Sequence, residues 1–463
     1  MSPLNRTPVG DRPFLSTHPF RELSRNSPAR AAALVFVLAA VVFSALLTLP
    51  IAAADGRGTP LIDAIFTGVS AVTVTGLTTV DTATHWSAFG EVVILLAIQT
   101  GGLGIVTIAL LLARAVTRHL GVQTKVFAQQ GIGTSKLGEV GTLLRIVVLT
   151  TLTIEVVLFL VLLPPFLLEE EHWWDGVWNA LFYAISSFNN AGFSIHPGGL
   201  ESLDTNLWIL VPIAVGVFVG SFGFPVFLTL IVHKWRRKRW TLHAKLTLTT
   251  TLVLLMIGSI GWAALEWSNP ATVADESPVN KVLHAIFAST MMRSGGFAIT
   301  DTAASHPATL LMSDALMFVG GGSASTAGGI KVTTLAVLFL AILAEARGDK
   351  DVRAAFRTIP GETLRLAISV TFLGATLVLA ATTMILIANP DVGLDRILFE
   401  VVSAFATCGL SVGLSPELGT FGKTVLSVLM VAGRIGPIGL AAALALKQRN
   451  LLYRLPEERP IVG

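Results

Sequence analysis

Apolar residues in this chain gather into long runs, which short polar or charged segments separate. Eight runs approach or exceed the roughly 20 apolar residues that a membrane-spanning helix needs. They cover 31–53, 88–113, 142–168, 207–232, 244–265, 309–345, 364–389 and 421–446, and glycines interrupt the sixth. The pattern predicts an all-α integral membrane protein with eight transmembrane helices.

The composition agrees with this prediction and excludes several other classes of protein. Of the 463 residues, 53% are hydrophobic and 13% are charged, about half of the roughly 25% charged residues in soluble domains. These few charges cannot cover a water-facing surface, which excludes an ordinary cytosolic enzyme, a disordered chain and a secreted disulfide scaffold. The net charge of +3 does not indicate nucleic-acid binding, and the single cysteine, Cys408, cannot form an intrachain disulfide.

The distribution of Lys and Arg predicts how the spans are oriented. Basic residues concentrate over 114–125, 234–245, 347–365 and 447–459, whereas the opposite loops contain few. The positive-inside rule then places both termini in the cytoplasm of a multi-pass protein of the plasma (inner) membrane. The arginine-rich N-terminal segment and the apolar run that follows it over 31–53 are both longer than in a signal peptide. We therefore interpret 31–53 as a retained span.

A shorter, half-apolar segment lies between the two spans of each pair, and these segments resemble one another. Three contain Phe-x3-Ser-x5-Gly followed by Leu or Phe, and the third in chain order is one residue shorter. Segments this short are better interpreted as re-entrant than as spanning. We predict four short pore helices with N-caps near Asp63, Asp175, Asn280 and Asp395, covering Leu61–Thr75, Trp174–Ala191, Asn280–Gly295 and Leu394–Cys408.

This internal repetition predicts the domain organisation, with four copies of span, pore helix, glycine turn and span. The repeats cover 31–115, 142–233, 244–346 and 364–447. The segments between and around them are predicted to be cytoplasmic: an N-terminal arm over 1–30, loops over 116–141, 234–243 and 347–363, and a tail over 448–463.

Four re-entrant segments ending in glycine at matching positions indicate a pore with fourfold pseudosymmetry, as in potassium channels. Glycine permits the dihedral angles that turn carbonyls inward, and the negative ends of four helices would stabilise a cation. The alternative is that these glycines only allow close helix packing. The predicted selectivity filter carries no acidic ring and consists of Val74, Thr75, Gly76, Asn190, Ala191, Gly192, Ser294, Gly295, Gly296, Thr407, Cys408 and Gly409.

The segments Val72–Leu77, Phe188–Phe193, Arg293–Phe297 and Thr407–Leu410 resemble the four filter segments of the Trk/Ktr/HKT superfamily of potassium transporters. The resemblance extends from about residue 31 onward and is strongest to the membrane subunit of a bacterial Ktr-type system. It implies a homodimer in membrane lipid that a cytosolic nucleotide-binding ring regulates.

The resemblance also implies which ion is transported and where it binds. Potassium would be the substrate, with no covalent cofactor, and sodium stays open as an activator or co-substrate. Glycine at all four filter positions matches the potassium-selective members, although Ser294-Gly295 stands where Thr-Ala is more usual. Potassium would bind at the carbonyls of Thr75, Ala191, Gly295 and Cys408.

Glycines also interrupt the second span of each repeat, at 99–104, 220–225, 320–331 and 432–437, which predicts kinks or unwound turns. The third interruption cannot stay helical, because each glycine costs about 1 kcal/mol relative to alanine. The resemblance implies that this loop is a gate below the filter, and the alternative is a flexible kink. The gate residues would be Gly320, Gly321, Gly322, Ser323, Ser325, Thr326, Gly328, Gly329, Lys331 and Arg434.

Arg434 lies about halfway along the last predicted span, where a charge is costly unless it is paired or hydrated. It would repel entering cations if it faces the cavity; the alternative is pairing with Glu155 or Glu400. Arg293 is expected to pair locally and hold the third filter segment.

The favoured function is potassium uptake, not enzymatic catalysis. A sodium-selective or nonselective monovalent cation transporter of the same fold and a non-conducting membrane scaffold stay as alternatives. A secondary transporter with broken helices would instead predict two inverted halves.

Overall fold

The computed structural model describes residues 28–119, 140–234 and 236–436, and it is mostly helical. The first predicted repeat contains α1 (Pro28–Leu47), a 3-10 turn (Pro50–Ala52), α2 (Leu61–Thr73), α3 (Thr82–His85) and α4 (Ala88–His119). The second contains α5 (Val140–Glu169), α6 (Trp173–Phe188), a 3-10 turn (Glu201–Leu203), α7 (Leu207–Gly220) and α8 (Phe224–His233).

The second half of the chain follows the same order. After a 3-10 turn (Arg237–Arg239) come α9 (Leu242–Glu266), α10 (Pro278–Met291), a 3-10 turn (Thr302–Ala304), α11 (Pro307–Phe318) and α12 (Val332–Ala346). A two-residue antiparallel hairpin, β1 (Arg353–Ala354) with β2 (Arg357–Thr358), pairs Arg353 with Thr358. The last part contains α13 (Gly361–Ala388), α14 (Leu394–Ala406), α15 (Leu414–Glu417) and α16 (Thr420–Ile435).

The four short helices α2, α6, α10 and α14 form the centre of the molecule. Each packs against the long helix that precedes it, namely α1, α5, α9 and α13. Each is also covered by a helix of the preceding repeat: α4 packs on α6, α7 on α10, α11 on α14, and α16 on α2. Because the last repeat packs on the first, the four units close a ring.

The outer surfaces of the long helices are apolar, as expected of a protein surrounded by lipid. Exposed side chains include Val156 on α5, Ile260 on α9 and Phe372 on α13. By length and composition, α5 from Val147, α9 and α13 could each cross a membrane, and α7 with α8 could form a fourth span bent by 94°. The other predicted spans contain shorter apolar helices or run into undescribed residues, so the number of eight stays a prediction.

The predicted N-caps of the short helices are wrong, because the helices begin earlier in the chain. The capping residues are Pro60, His172, Ser277 and Gly393. Of these, Ser277 uses its hydroxyl, which accepts a hydrogen bond from the Asn280 N–H at 3.3 Å. The acidic residues predicted as caps instead lie in the first turn, where a carboxylate is stabilised by the positive end of the helix dipole.

An unwound turn in the first repeat, one of the two outcomes predicted there, is also wrong, because α4 continues as a helix through 99–104. A Cβ atom at Gly101 would overlap the Val72 carbonyl, and one at Gly102 would overlap the Asn189 side chain. Both glycines therefore let α4 approach the ends of α2 and α6 closely.

The other three interruptions end or bend a helix. Residues 221–223 separate α7 from α8, and residues 319–331 separate α11 from α12. Helix α16 ends at Ile435, and Gly436 has a positive φ of 80°. The end of the last predicted span, nearly all of the arm over 1–30, most of the loop over 116–141 and the tail over 448–463 lie outside the described residues.

Candidate ion-binding ring and gate loop

The same backbone turn follows each of the four short helices. One residue in the left-handed region comes first, and a glycine with positive φ follows two positions later. The φ angles are 55° and 94° at Val74 and Gly76, 60° and 68° at Asn190 and Gly192, 76° and 76° at Ser294 and Gly296, and 46° and 96° at Thr407 and Gly409. Residues other than glycine rarely adopt a positive φ. Its occurrence after the short helix of all four repeats therefore indicates one shared structure.

The four turns meet in a closed ring of backbone. The carbonyl oxygen preceding each glycine lies against the glycine of the repeat before it: Ala191 against Gly76, Gly295 against Gly192, Cys408 against Gly296, and Thr75 against Gly409. A Cβ atom at Gly296, for example, would lie 2.5 Å from the Cys408 carbonyl oxygen and 2.9 Å from the Gly192 Cα. The ring has no room for side chains at these four positions, and it brings together the four carbonyls predicted to bind potassium.

The serines of the repeated motif hold two of the turns in place. The hydroxyls of Ser70 and Ser403 accept hydrogen bonds from the N–H groups of Gly76 and Gly409, both at 3.1 Å. Ser186 differs, because its hydroxyl donates to the Phe193 carbonyl at 3.0 Å. The sequence motif identified these serines but did not assign them this role.

Arg293 supports the third turn, although its partner is not local but lies 42 positions away in the sequence. Its side chain is 3% exposed. The guanidinium donates to the Thr251 carbonyl at 2.9 Å and to the Thr251 hydroxyl at 3.3 Å. Arg293 therefore ties the end of α10 to α9.

Glu155 stabilises the segment before the second turn. Its carboxylate accepts hydrogen bonds from the side-chain amides of Asn189 and Gln99, each at 3.0 Å. Asn189 directly precedes Asn190, the left-handed residue of the turn. The partner of Glu155, which the sequence did not identify, is therefore a pair of amides.

The loop between α11 and α12, residues 319–331, is held by its own polar side chains. The Ser325 hydroxyl donates to the Gly322 carbonyl at 2.7 Å and accepts from the Ala327 N–H at 3.2 Å. The Lys331 ammonium donates to the Ala327 carbonyl at 2.6 Å. These bonds satisfy backbone groups that a helix would otherwise pair. Backbone N–H and C=O groups that are buried away from water need such hydrogen-bond partners.

The same loop contacts the ring and the α7–α8 bend. The Gly322 N–H donates to the Ser221 carbonyl at 2.7 Å. The Thr326 hydroxyl lies 2.9 Å from the Asn190 side-chain oxygen, and the Gly328 N–H lies 3.3 Å from the Ser294 hydroxyl. The loop therefore lies directly against the turns of the second and third repeats.

Arg434 is buried, with 2% of its surface exposed, and it bonds backbone oxygens. One guanidinium nitrogen donates to the Thr326 carbonyl, and another donates to the Gly101 carbonyl at 3.4 Å. The alternative of pairing with Glu155 or Glu400 is wrong, since Glu400 instead accepts from the hydroxyl of Ser411 at 2.8 Å and from the hydroxyl and N–H of Ser415. Arg434 thus connects α16 to the loop.

Sequence reasoning missed one buried ion pair, between Lys423 and Asp63. The ammonium lies 2.8 Å from a carboxylate oxygen, and the two side chains are 11% and 12% exposed. The pair joins α16 to α2, across the junction where the ring closes. The sequence did offer a sign of this pair. A lysine lies near the start of an apolar span, and an acidic residue lies near the start of the first short helix.

The site contains backbone oxygens and cations but no acidic cluster. Among residues 28–119, 140–234 and 236–436, no three His, Cys, Asp or Glu side chains form a group that could hold a metal ion. The ring brings four backbone carbonyl oxygens together, and the Arg434 charge lies near the loop.

Comparison with known proteins agrees with this architecture. The family described as TrkH, cation transport protein, matches residues 15–452. The Ktr system potassium uptake protein B of Bacillus subtilis (strain 168) is 36% identical over 432 residues, covering 93% of this chain and 96% of that protein. The potassium/sodium uptake protein NtpJ of Enterococcus hirae is 32% identical and covers 96% of this chain and 99% of its own length.

The crystal structure of the potassium transporter TrkH from Vibrio parahaemolyticus has the same fold. It matches with a TM-score of 0.69 and 16% sequence identity, over 94% of this chain and 87% of that one. These findings confirm the resemblance to the Trk/Ktr superfamily, whose matched members are named as transporters and not as enzymes. The chain belongs to the TrkH family of cation transport proteins.

Proposed function

We propose that this protein takes up potassium across the plasma membrane as the ion-translocating subunit of a Ktr/Trk-type system. The observation that carries the proposal is the closed ring of four backbone turns, in which every glycine lies against a carbonyl of the next repeat. Near-full-length similarity to two proteins named Ktr system potassium uptake protein B supports potassium as the ion.

In this proposal the ring is the selectivity filter of a pore built from four repeats and eight spans. The carbonyls of Thr75, Ala191, Gly295 and Cys408 replace part of the hydration shell of the ion, as carbonyl rings do in potassium channels. The negative ends of the four short helices α2, α6, α10 and α14 add a favourable potential. A ring without carboxylates suits a monovalent cation.

The loop between α11 and α12 is the gate of this pore. Its backbone lies against the ring, and Arg434 and Lys331 bring positive charge to it. A cation can therefore pass only after the loop and its charges have moved. We propose that a cytosolic nucleotide-binding partner drives this movement in a homodimer whose termini lie in the cytoplasm.

A sodium-selective or nonselective function is the second candidate. The relative from Enterococcus hirae is named a potassium/sodium uptake protein. This name supports sodium as a second candidate substrate or activator. Glycine at all four ring positions favours potassium, because an unobstructed ring leaves each carbonyl free to face the ion.

Complementation of a potassium-uptake-deficient bacterium tests the proposed function. We expect the chain to restore growth at low potassium when it is expressed with a Ktr-type regulatory subunit, and a membrane-inserted Gly296→Val variant to fail. Sodium uptake without potassium rescue would favour the second candidate. Absence of any rescue by well-expressed wild-type protein with its partner would overturn the proposal.

A further inference from the structure

We propose that the gate loop also sets the ion affinity of the ring, through hydrogen bonds from Thr326 and Gly328 to the turns at Asn190 and Ser294. This inference rests on the proposed function of the ring and adds a form of regulation to it. It makes Thr326 a positioning residue for selectivity, in addition to its place in the gate.

The connection to the second repeat runs through the Thr326 hydroxyl. Its nearest acceptor is the Asn190 side-chain oxygen at 2.9 Å, with the Gly220 carbonyl at 3.0 Å. The Asn190 amide in turn donates to the Ser221 hydroxyl at 2.7 Å. Thr326, Asn190 and Ser221 are each at least 96% buried. Water therefore cannot easily replace a hydrogen bond that is lost here.

The connection to the third and fourth repeats runs through the Ser294 hydroxyl. It accepts from the Gly328 N–H at 3.3 Å and donates to the Thr407 carbonyl at 3.0 Å. The loop also fits closely here, because a Cβ atom at Gly328 would lie 2.7 Å from the Ala406 carbonyl oxygen. The loop therefore hydrogen-bonds the second and third turns and packs closely against the fourth.

The contacted residues have a particular position in the ring. Asn190, Ser294 and Thr407 are the left-handed residues, each directly before a residue whose carbonyl faces the ring. A non-glycine residue in this conformation is strained and persists only when its surroundings hold it. When the loop leaves, Asn190 and Ser294 each lose a hydrogen-bond partner, and the direction of the carbonyls that follow them is less constrained.

Ion binding and loop position are therefore thermodynamically coupled. If the loop in place favours the carbonyl geometry that binds potassium, bound potassium must favour the loop in place by the same factor. Opening the gate then lowers potassium affinity at the ring, which helps a bound ion to leave toward the cytoplasm.

Cation binding to the purified membrane subunit without its partner tests this coupling. Calorimetric titrations with potassium and with sodium would compare wild type, Thr326→Val and Thr326→Ser. Valine keeps the shape and the backbone carbonyl that Arg434 contacts but removes the hydroxyl. A matched control is Thr333→Val, because the Thr333 hydroxyl contacts Ser323 of the loop at 3.2 Å and neither Asn190 nor Ser294.

One neutral hydrogen bond corresponds to about a fivefold change in an equilibrium constant, so we expect Thr326→Val to raise the potassium dissociation constant by up to this factor. Sodium binding should change less, and the Thr326→Ser and Thr333→Val variants should stay within twofold of wild type. Ser294→Ala should act in the same direction and replaces Thr326→Val if the latter does not fold.

Two outcomes would overturn the coupling: unchanged potassium binding in both Thr326→Val and Ser294→Ala, or an equal loss in Thr333→Val. A wild-type protein that binds potassium no better than sodium would instead contradict the proposed function itself. The experiment thus distinguishes failure of the coupling from failure of the filter.

Discussion

Replacing Arg434 should open the proposed pore, because this residue bonds the loop between α11 and α12 that we propose as the gate. Its guanidinium bonds the Thr326 carbonyl in the loop and the Gly101 carbonyl in α4. Arg434→Ala removes both bonds and the charge. Arg434→Lys keeps a charge but cannot reproduce the planar fork that reaches two oxygens.

The magnitude follows from the bond that belongs to the loop. A hydrogen bond from a charged donor contributes about 1.5–3 kcal/mol. Losing the bond to Thr326 should therefore shift the balance between closed and open loop by about 10- to 100-fold, at 1.4 kcal/mol per factor of ten. The loss of a positive charge near the path adds to this change.

Potassium flux into vesicles reconstituted without the regulatory partner measures the effect. We expect the flux through Arg434→Ala to rise by about tenfold or more at equal protein amount, with a smaller rise for Arg434→Lys. Size-exclusion profiles that match wild type would show that the variants are folded. Unchanged flux through a folded Arg434→Ala protein would show that Arg434 does not hold the loop closed and has a purely structural role.

Three further predictions address the ring, the loop and the ring closure. In Gly76→Ser, the new side chain meets the Ala191 carbonyl, so competition uptake should show a lower preference for potassium over sodium; an unchanged ratio would contradict the filter. Deletion of 322–328 should give a folded protein with fast flux that ignores the partner's nucleotide, and retained nucleotide control would argue against a gate. Asp63→Asn leaves Lys423 as an uncompensated buried charge, which should destabilise the protein by about 3–5 kcal/mol in denaturation, with partial recovery in the double variant with Lys423→Met. A single variant as stable as wild type would show that the pair contributes little.

Local features of the fold could be predicted well from the sequence. The pore helix predicted over Leu394–Cys408 is observed at Leu394–Ala406, and the glycine-rich stretch from 320 is non-helical. Both depend on short-range physics: hydrophobic periodicity for the helix, and the helix-breaking effect of clustered glycines for the loop.

The capping residues of the short helices and the role of the α4 glycines could not be predicted in the same way. The helix that begins at Leu61 has Pro60 as its cap and Asp63 in its first turn, because a carboxylate is favourable at either position. Glycines such as Gly101 look alike in sequence whether they break a helix or permit close contact. The presence of the Val72 carbonyl opposite Gly101 decides between the two, and only the tertiary structure supplies it.

The partner of Arg434 could not be found from the sequence, whereas that of Lys423 left a weak signal. Arg434 bonds a carbonyl 108 positions away, and Lys423 pairs with a carboxylate 360 positions away. A sequence-based search for an opposite charge cannot find the first of these, because a backbone oxygen carries no sequence signature. The sequence therefore identified Arg434 as costly but suggested the wrong kind of partner.

Locating the bound ion would test directly whether the ring of backbone turns is the selectivity filter. Crystals of the protein grown with rubidium, a heavier analogue of potassium, would allow its position to be found by anomalous scattering. We expect a peak on the axis of the ring, equidistant from the carbonyls of Thr75, Ala191, Gly295 and Cys408, that weakens when sodium replaces rubidium. An empty ring with rubidium bound elsewhere in the protein would contradict this expectation.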